Sequence, residues 1–185
     1  MNRLHLAALL IASTLLPAAS PGADAAKDAK QAFKPLINGE FDASPPGRPP
    51  AGWVAAYPTG SCVVATDGKD TFLRLTSAQA ANAGMAQEVA VPPKAKTVAV
   101  LGRMRGKPQN EKTENRAAVE VALRYKDAQG GNINAAVVAS KNSASWHTFR
   151  RELALPAGCA KIEVVVRSLF AVGTFDFDEV RVEFK

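Results

Sequence analysis

The sequence predicts an all-β domain built as an antiparallel two-sheet sandwich or a barrel, and three observations carry that reading. After Trp53, apolar and polar residues alternate in short runs, the two-residue period of half-buried strands. Gly, Pro and Asp-Gly break those runs at regular intervals, giving eight or nine short strands. No stretch after Lys34 sustains the 3.6-residue period of an amphipathic helix.

Taken in order, "NGEFDASPPGRPPAGW" (Asn38 to Trp53) carries four prolines and no strand or helix period. It reads as the first folded piece of the domain, a rigid crossover delivering Trp53 to the next sheet. "SCVVATDGKDTFLRLTS" is strand, turn at Asp67-Gly68, strand. "GMAQEVAVPPKAKTVAVLGRMRG" is two more strands, parted by Pro92-Pro93, which have no place in a central ladder. The segment from Gly106 to Arg116, "GKPQNEKTENR", reads as an exposed loop. "AAVEVALRYKDAQGGNINAAVVAS" is the clearest hairpin: Val119, Val121, Leu123 and Tyr125 share one face, Glu120, Arg124 and Lys126 the other, with "DAQGG" as the turn. "SWHTFRRELALP", "CAKIEVVVRSLF" and "TFDFDEVRVEFK" complete the set. In the last, Phe175 and Phe177 occupy odd positions but Val180, Val182 and Phe184 even ones. A β-bulge at Asp178-Glu179 returns both sets to one face.

The chain opens with Arg3, an apolar run from Leu6 to Leu16, and Pro17 followed by small residues. That is the layout of a secretory signal peptide over residues 1–25. The apolar run falls short of the ~20 residues that span a bilayer. A polar lead-in (26–35) and a single domain (36–185) follow, for an exported protein, periplasmic or extracellular, with no membrane span. In that setting Cys62 and Cys159 are candidates for a disulfide worth ~4–5 kcal/mol by loop closure; two separate buried thiols are the alternative.

An Asn-Gly-x-Phe-acid start precedes a Pro-rich run and "GW". "GMAQEVAV", a Trp opening a late strand, "PAG" and a closing "FDEV" follow. This order of motifs resembles the carbohydrate-binding modules of families 4, 9, 16 and 22, within the galactose-binding-like jelly-roll fold. The likeness covers nearly all of residues 36–185. It implies a jelly-roll sandwich that binds poly- or oligosaccharide without catalysis. It also implies a structural Ca²⁺ where the first strand meets the last, held by Asp42 and Asp178, with the Asp67–Asp70 turn as a source of further oxygens. Asp42 stands where the family usually has the longer Glu.

Sugar sites stack rings on exposed aromatic faces and fix hydroxyls with planar polar groups. The chain has two Trp and two Tyr. Trp53 and Trp146 match packing positions of the family, and Tyr125 lies on an apolar strand face. Tyr57, Gln87, Arg103 and Arg105 are therefore the candidate carbohydrate-binding residues.

Enzymatic function finds little support. The histidines are His5, inside the leader, and His147. There is no Gly-x-Ser-x-Gly elbow and no zinc-ligand spacing, and Asp176 and Asp178 lie on one strand face rather than across a cleft. The net charge of +6 is spread without a long basic run or interleaved aromatics, which gives no sign of a nucleic-acid partner. Two readings result: an exported carbohydrate-binding protein, or an exported scaffold of the same fold whose partner is another protein.

Overall fold

The computed structural model describes residues 36–185, so the leader (1–25) and the lead-in (26–35) lie outside the described residues. Eight strands follow one another: β1 (Val54–Ala55), β2 (Ser61–Asp67), β3 (Asp70–Ala90), β4 (Thr97–Gly106), β5 (Ala118–Lys126), β6 (Asn132–Ser140), β7 (Ser143–Ala154) and β8 (Lys161–Phe184). All pairings are antiparallel.

The count matches the expectation, but the partition differs. β3 and β8, each read from sequence as two strands, run through as single strands of 21 and 24 residues. They pair with each other along their length, and the register slips twice between Ser77 and Ala83. Small residues at that slip, and Gly173 with φ +140° on β8, let both strands turn together instead of ending. Each long strand therefore serves two sheets. One sheet runs β2, the first half of β3, the second half of β8, β4, β7; the other runs β1, the second half of β3, the first half of β8, β5, β6. We call them the front sheet and the back sheet. The architecture is the jelly-roll sandwich.

The core lies between the inner faces. Val119, Val121, Leu123 and Tyr125 are buried as the hairpin pattern predicts, against Val98, Val100, Met104, Ile162, Val164 and Val166. Each such side chain contributes about 1.5–3 kcal/mol by leaving water. The bulge in β8 falls where the alternation requires it. Arg103 pairs with Asp178 but Leu101 pairs with Arg181, so one extra residue is accommodated, with Glu179 at φ +52°. Phe175, Phe177 and Val180 are consequently all buried.

The Pro-rich opening is folded into this body. Phe41 is fully buried, its ring 5.4 Å from that of Trp53. Asn38 accepts from the Ala43 amide, donates to Ser44 and to the Ala51 carbonyl, and receives the Trp53 indole N–H on its own carbonyl. Gly39 accepts from Val180 N at 3.0 Å, and a Cβ at Gly39 would lie 1.8 Å from the Val180 carbonyl oxygen. Gly47 and Arg48 exchange 2.8 Å bonds with Val64, covering the outer edge of β2.

The 106–116 loop is mostly exposed, as expected, and of the two cysteine readings the structure has the separate thiols. The 106–116 segment is pinned: Asn110 bonds the Phe170 carbonyl and the Val172 amide, and Gln109 donates to the Val172 carbonyl. Cys62 and Cys159 are free thiols, both half-buried against the core. Cys62 bonds backbone at Gly84. Cys159 bonds the Lys161 carbonyl, and Lys161 pairs with Ala90. Six residues of β3 separate those anchors, or roughly 20 Å, far beyond the ~7 Å Cα limit for a bridge.

Candidate functional site

The four sequence-predicted sugar contacts do not assemble into one site. Gln87 alternates with Met85 and Val89, which places it on the inner face of β3, 6% exposed. Its amide accepts from Ile37 N and donates to the carbonyls of Ile37 and Gly52 at 2.9 Å each. It is a clamp for the opening segment, with both amide protons spent on backbone carbonyls. The overlooked signal was its register: a Gln between two core positions belongs inside.

Arg103 and Arg105 project from the outer face of the front sheet. Cross-strand pairing sets Arg74 and Arg105 opposite Asp176, and Arg103 opposite Asp178. Arg74 and Arg105 each reach Asp176 at 2.8 Å, and Arg103 reaches Asp178 at 2.6 Å. Both carboxylates are nearly inaccessible. Burial pushes the Asp178 carboxyl above the usual aspartate range, and the bond from Arg103 recovers only part of that. Trp146 lies beside Phe72 in an edge contact (5.7 Å), with the guanidiniums of Arg103 and Arg105 at 4.7 and 4.6 Å from its ring centroid. The cations that would hold a sugar are thus engaged with two acids and an aromatic ring. This face is a cation–π and ion-pair cluster.

The same cluster bears on the expected calcium site. Asp178 spends one oxygen on Arg103 and the other on the Glu179 amide. Asp42 is exposed; the opening acid that reaches the closing strand is Glu40, which binds Arg181 at 2.6 Å. Asp67 and Asp70 point to Arg105 and Arg103, each at 3.8 Å. Among the described residues no group of three or more His, Cys, Asp or Glu side chains converges. Asp42 and Asp178 do not fit a hard dication here, because it would have to displace a guanidinium.

Tyr57 belongs to the other face. The Ala56 amide bonds the Gly84 carbonyl at 2.9 Å, and the Thr59 hydroxyl bonds the Asn82 carbonyl, holding the β1–β2 loop against the back sheet. There the even residues of β5 and odd residues of β8 form a ladder by register: Glu120 opposite Arg167, Arg124 opposite Glu163, Lys126 opposite Lys161. Arg167 binds Glu120 at 2.7 Å, Arg124 binds Glu163 at 2.7 Å, and Lys126 joins Glu163 (2.8 Å) to Glu88 (3.2 Å). Lys161 closes on Glu88 at 2.7 Å, and that bond, with Lys126 beside it, holds the Glu88 carboxyl below the usual range. The Tyr57 hydroxyl accepts from Arg124 Nη2 at 3.4 Å and from Arg167 Nη1 at 3.2 Å. A half-exposed aromatic ring beside a row of planar polar groups is what a pyranose surface requires. The residues missed were Glu120, Arg124, Glu163 and Arg167, and their signal was the repeated acid-x-x-x-Arg spacing on the polar faces of β5 and β8.

No family model and no curated protein matches the sequence. Solved structures do. The chain superimposes on the enzymatically active domain of tailspike protein 4 of bacteriophage CBA120 with TM-score 0.61 and 12% identity, covering 80% of this chain but only 21% of that one. It superimposes on a family 16 carbohydrate-binding module at TM-score 0.57 and 16% identity, over 80% of this chain and 98% of that one. It also matches TmCBM61, solved in complex with beta-1,4-galactotriose, at TM-score 0.55 and 16% identity, over 81% and 97%. The chain therefore spans about a fifth of the tailspike structure and the full length of the binding modules. At these identities the likeness is one of fold, and the fold is the jelly roll of carbohydrate-binding modules.

Proposed function

We propose that this protein is an exported carbohydrate-binding module that holds a poly- or oligosaccharide, without catalysis, on the outer face of the back sheet at Tyr57. The observation that carries the proposal is the Tyr57 ring set against the Arg124–Glu163 and Glu120–Arg167 pairs. A sugar ring stacks on the aromatic face while its hydroxyls exchange bonds with guanidiniums and carboxylates that the strand ladder already holds in place, so little side-chain entropy is lost on binding. The whole-length likeness to carbohydrate-binding modules supports the reading, and so does the signal-like opening of the sequence. The front sheet carries a second half-exposed ring, Trp146, but there the guanidiniums of Arg103 and Arg105 lie 4.7 and 4.6 Å from the ring centroid.

A glycan array with the purified protein, run in Ca²⁺ and again in a chelator, tests the proposal. Binding that is lost in Tyr57→Ala and kept in Trp146→Ala supports it, whereas the reverse pattern moves the site to the front sheet. An array with no ligand at all returns the protein to the scaffold reading, which the complete pairing of the front-sheet charges favours.

A further inference from the structure

The back-sheet face has an uneven charge count. Four cations line it, Arg124, Lys126, Lys161 and Arg167, against three carboxylates, Glu88, Glu120 and Glu163. Every carboxylate is engaged: Glu163 serves Arg124 and Lys126, Glu88 serves Lys126 and Lys161, and Glu120 receives Nε and Nη2 of Arg167 on one oxygen. Two of these cations, Arg124 and Arg167, also converge from neighbouring strands on a single oxygen, the phenol of Tyr57. Their 3.4 and 3.2 Å approaches are long beside the ~2.7–2.9 Å of a guanidinium on an anion. Both side chains are partly withdrawn from water, 30% and 18% exposed, so solvent compensates their mutual repulsion only in part.

Resting on the carbohydrate reading above, we propose that the ligand is an acidic polysaccharide and that the Arg124–Arg167–Tyr57 point receives a uronic-acid carboxylate. A carboxylate brings charge-assisted hydrogen bonds to a point where two guanidiniums already meet on a neutral oxygen. The Tyr57 oxygen, accepting from both arginines, keeps its own proton to donate to the same carboxylate. The net charge of +6 adds long-range attraction for a polyanionic chain and speeds encounter.

The test uses paired probes that differ only at the carboxyl group: oligogalacturonates and their methyl esters, measured by calorimetry with the full chain. The expected result is at least a tenfold preference for the free acid, weakened by added NaCl because screening acts on the charged pair. Arg124→Gln should erase most of that preference, costing the acid about ten- to hundredfold and the ester, which loses only a neutral hydrogen bond, about threefold. Arg124 is the arginine to change because Glu163 keeps Lys126 as a partner, so the fold is not left with a lone buried acid. Tyr57→Phe, which keeps the ring, should cost the acid severalfold and the ester less. Equal or tighter binding of the ester overturns the uronate proposal while leaving the carbohydrate reading intact. Failure of both probes together with neutral xylan, galactan and glucan overturns both. Equally tight binding of dextran sulfate by wild type and Arg124→Gln, with no preference between acid and ester, shows diffuse attraction and overturns the site.

Discussion

Replacing Gln87 with Leu separates a structural role from a sugar-binding one. The side chains are similar in size, so the buried volume is nearly kept, but three hydrogen bonds to backbone disappear: one from Ile37 N, one to the Ile37 carbonyl and one to the Gly52 carbonyl. A net contribution of about 1 kcal/mol per bond sets the scale. Full burial of the orphaned groups would raise the cost further, but Ile37 is 53% exposed and Gly52 is exposed, so water replaces part of what is lost. The expected destabilisation is about 2–3 kcal/mol. For a domain of this size that corresponds to roughly 5–10 °C in Tm. The loss should concentrate in the opening segment. Limited proteolysis and amide exchange ought to show residues 37–52 opening well before the sheets. Tyr57 lies on the other side of the back sheet, and glycan affinity measured below the melting range should stay within about twofold. A Gln87→Leu protein that melts like wild type yet loses glycan binding would refute the clamp and restore Gln87 as a ligand contact.

Other outcomes follow from the same geometry. Gly39→Ala places a methyl group against the Val180 carbonyl and should cost more than 2 kcal/mol or release the opening segment, read by urea denaturation. Phe41→Ala should cost about 3–5 kcal/mol by the same measurement, as expected for a fully buried ring. Thiol titration of the unreduced protein in denaturant should find both Cys62 and Cys159 reactive, and their reaction in the native state should be slow, since burial raises both thiol pKa values. Glu88 has a depressed folded pKa, so its ion pairs stabilise the protein above the ordinary glutamate range, and that contribution is lost as the pH falls through the lower folded value. Glu88→Gln should therefore flatten the acid limb of a urea-midpoint profile below about pH 4.5. The effect will be small, because this surface pair is 40% exposed on both the Glu88 and Lys161 sides.

How far the sequence reveals this molecule depends on which signal each part carries. The β5–β6 hairpin and the Asp178-Glu179 bulge were legible because one buried face leaves alternation no freedom: Phe175, Phe177 and Val180 are all inside only if a residue is inserted. The continuity of β3 was not, because "SAQAANAG" looks the same whether a strand ends or bends; only its pairing with β8 distinguishes the two. The site was legible in residue type and obscure in grouping. Tyr57 meets Arg124 and Arg167, 67 and 110 positions away in the sequence. Arg103 and Arg105 were rightly placed on one face, but the buried acids that occupy them come from β8, and no local pattern links the two strands.

β3 and β8 belong to both layers, and this shapes how the protein yields to stress. In a sandwich of independent sheets, one layer can loosen while the other stands. Here every pull on the back-sheet face travels along an unbroken backbone into the front sheet, where the Arg–Asp–Trp cluster anchors the same two strands. A polymer tugging at Tyr57 would thus load the whole domain as one cooperative unit, with the front-sheet cluster as the ballast that lets the opposite face hold on.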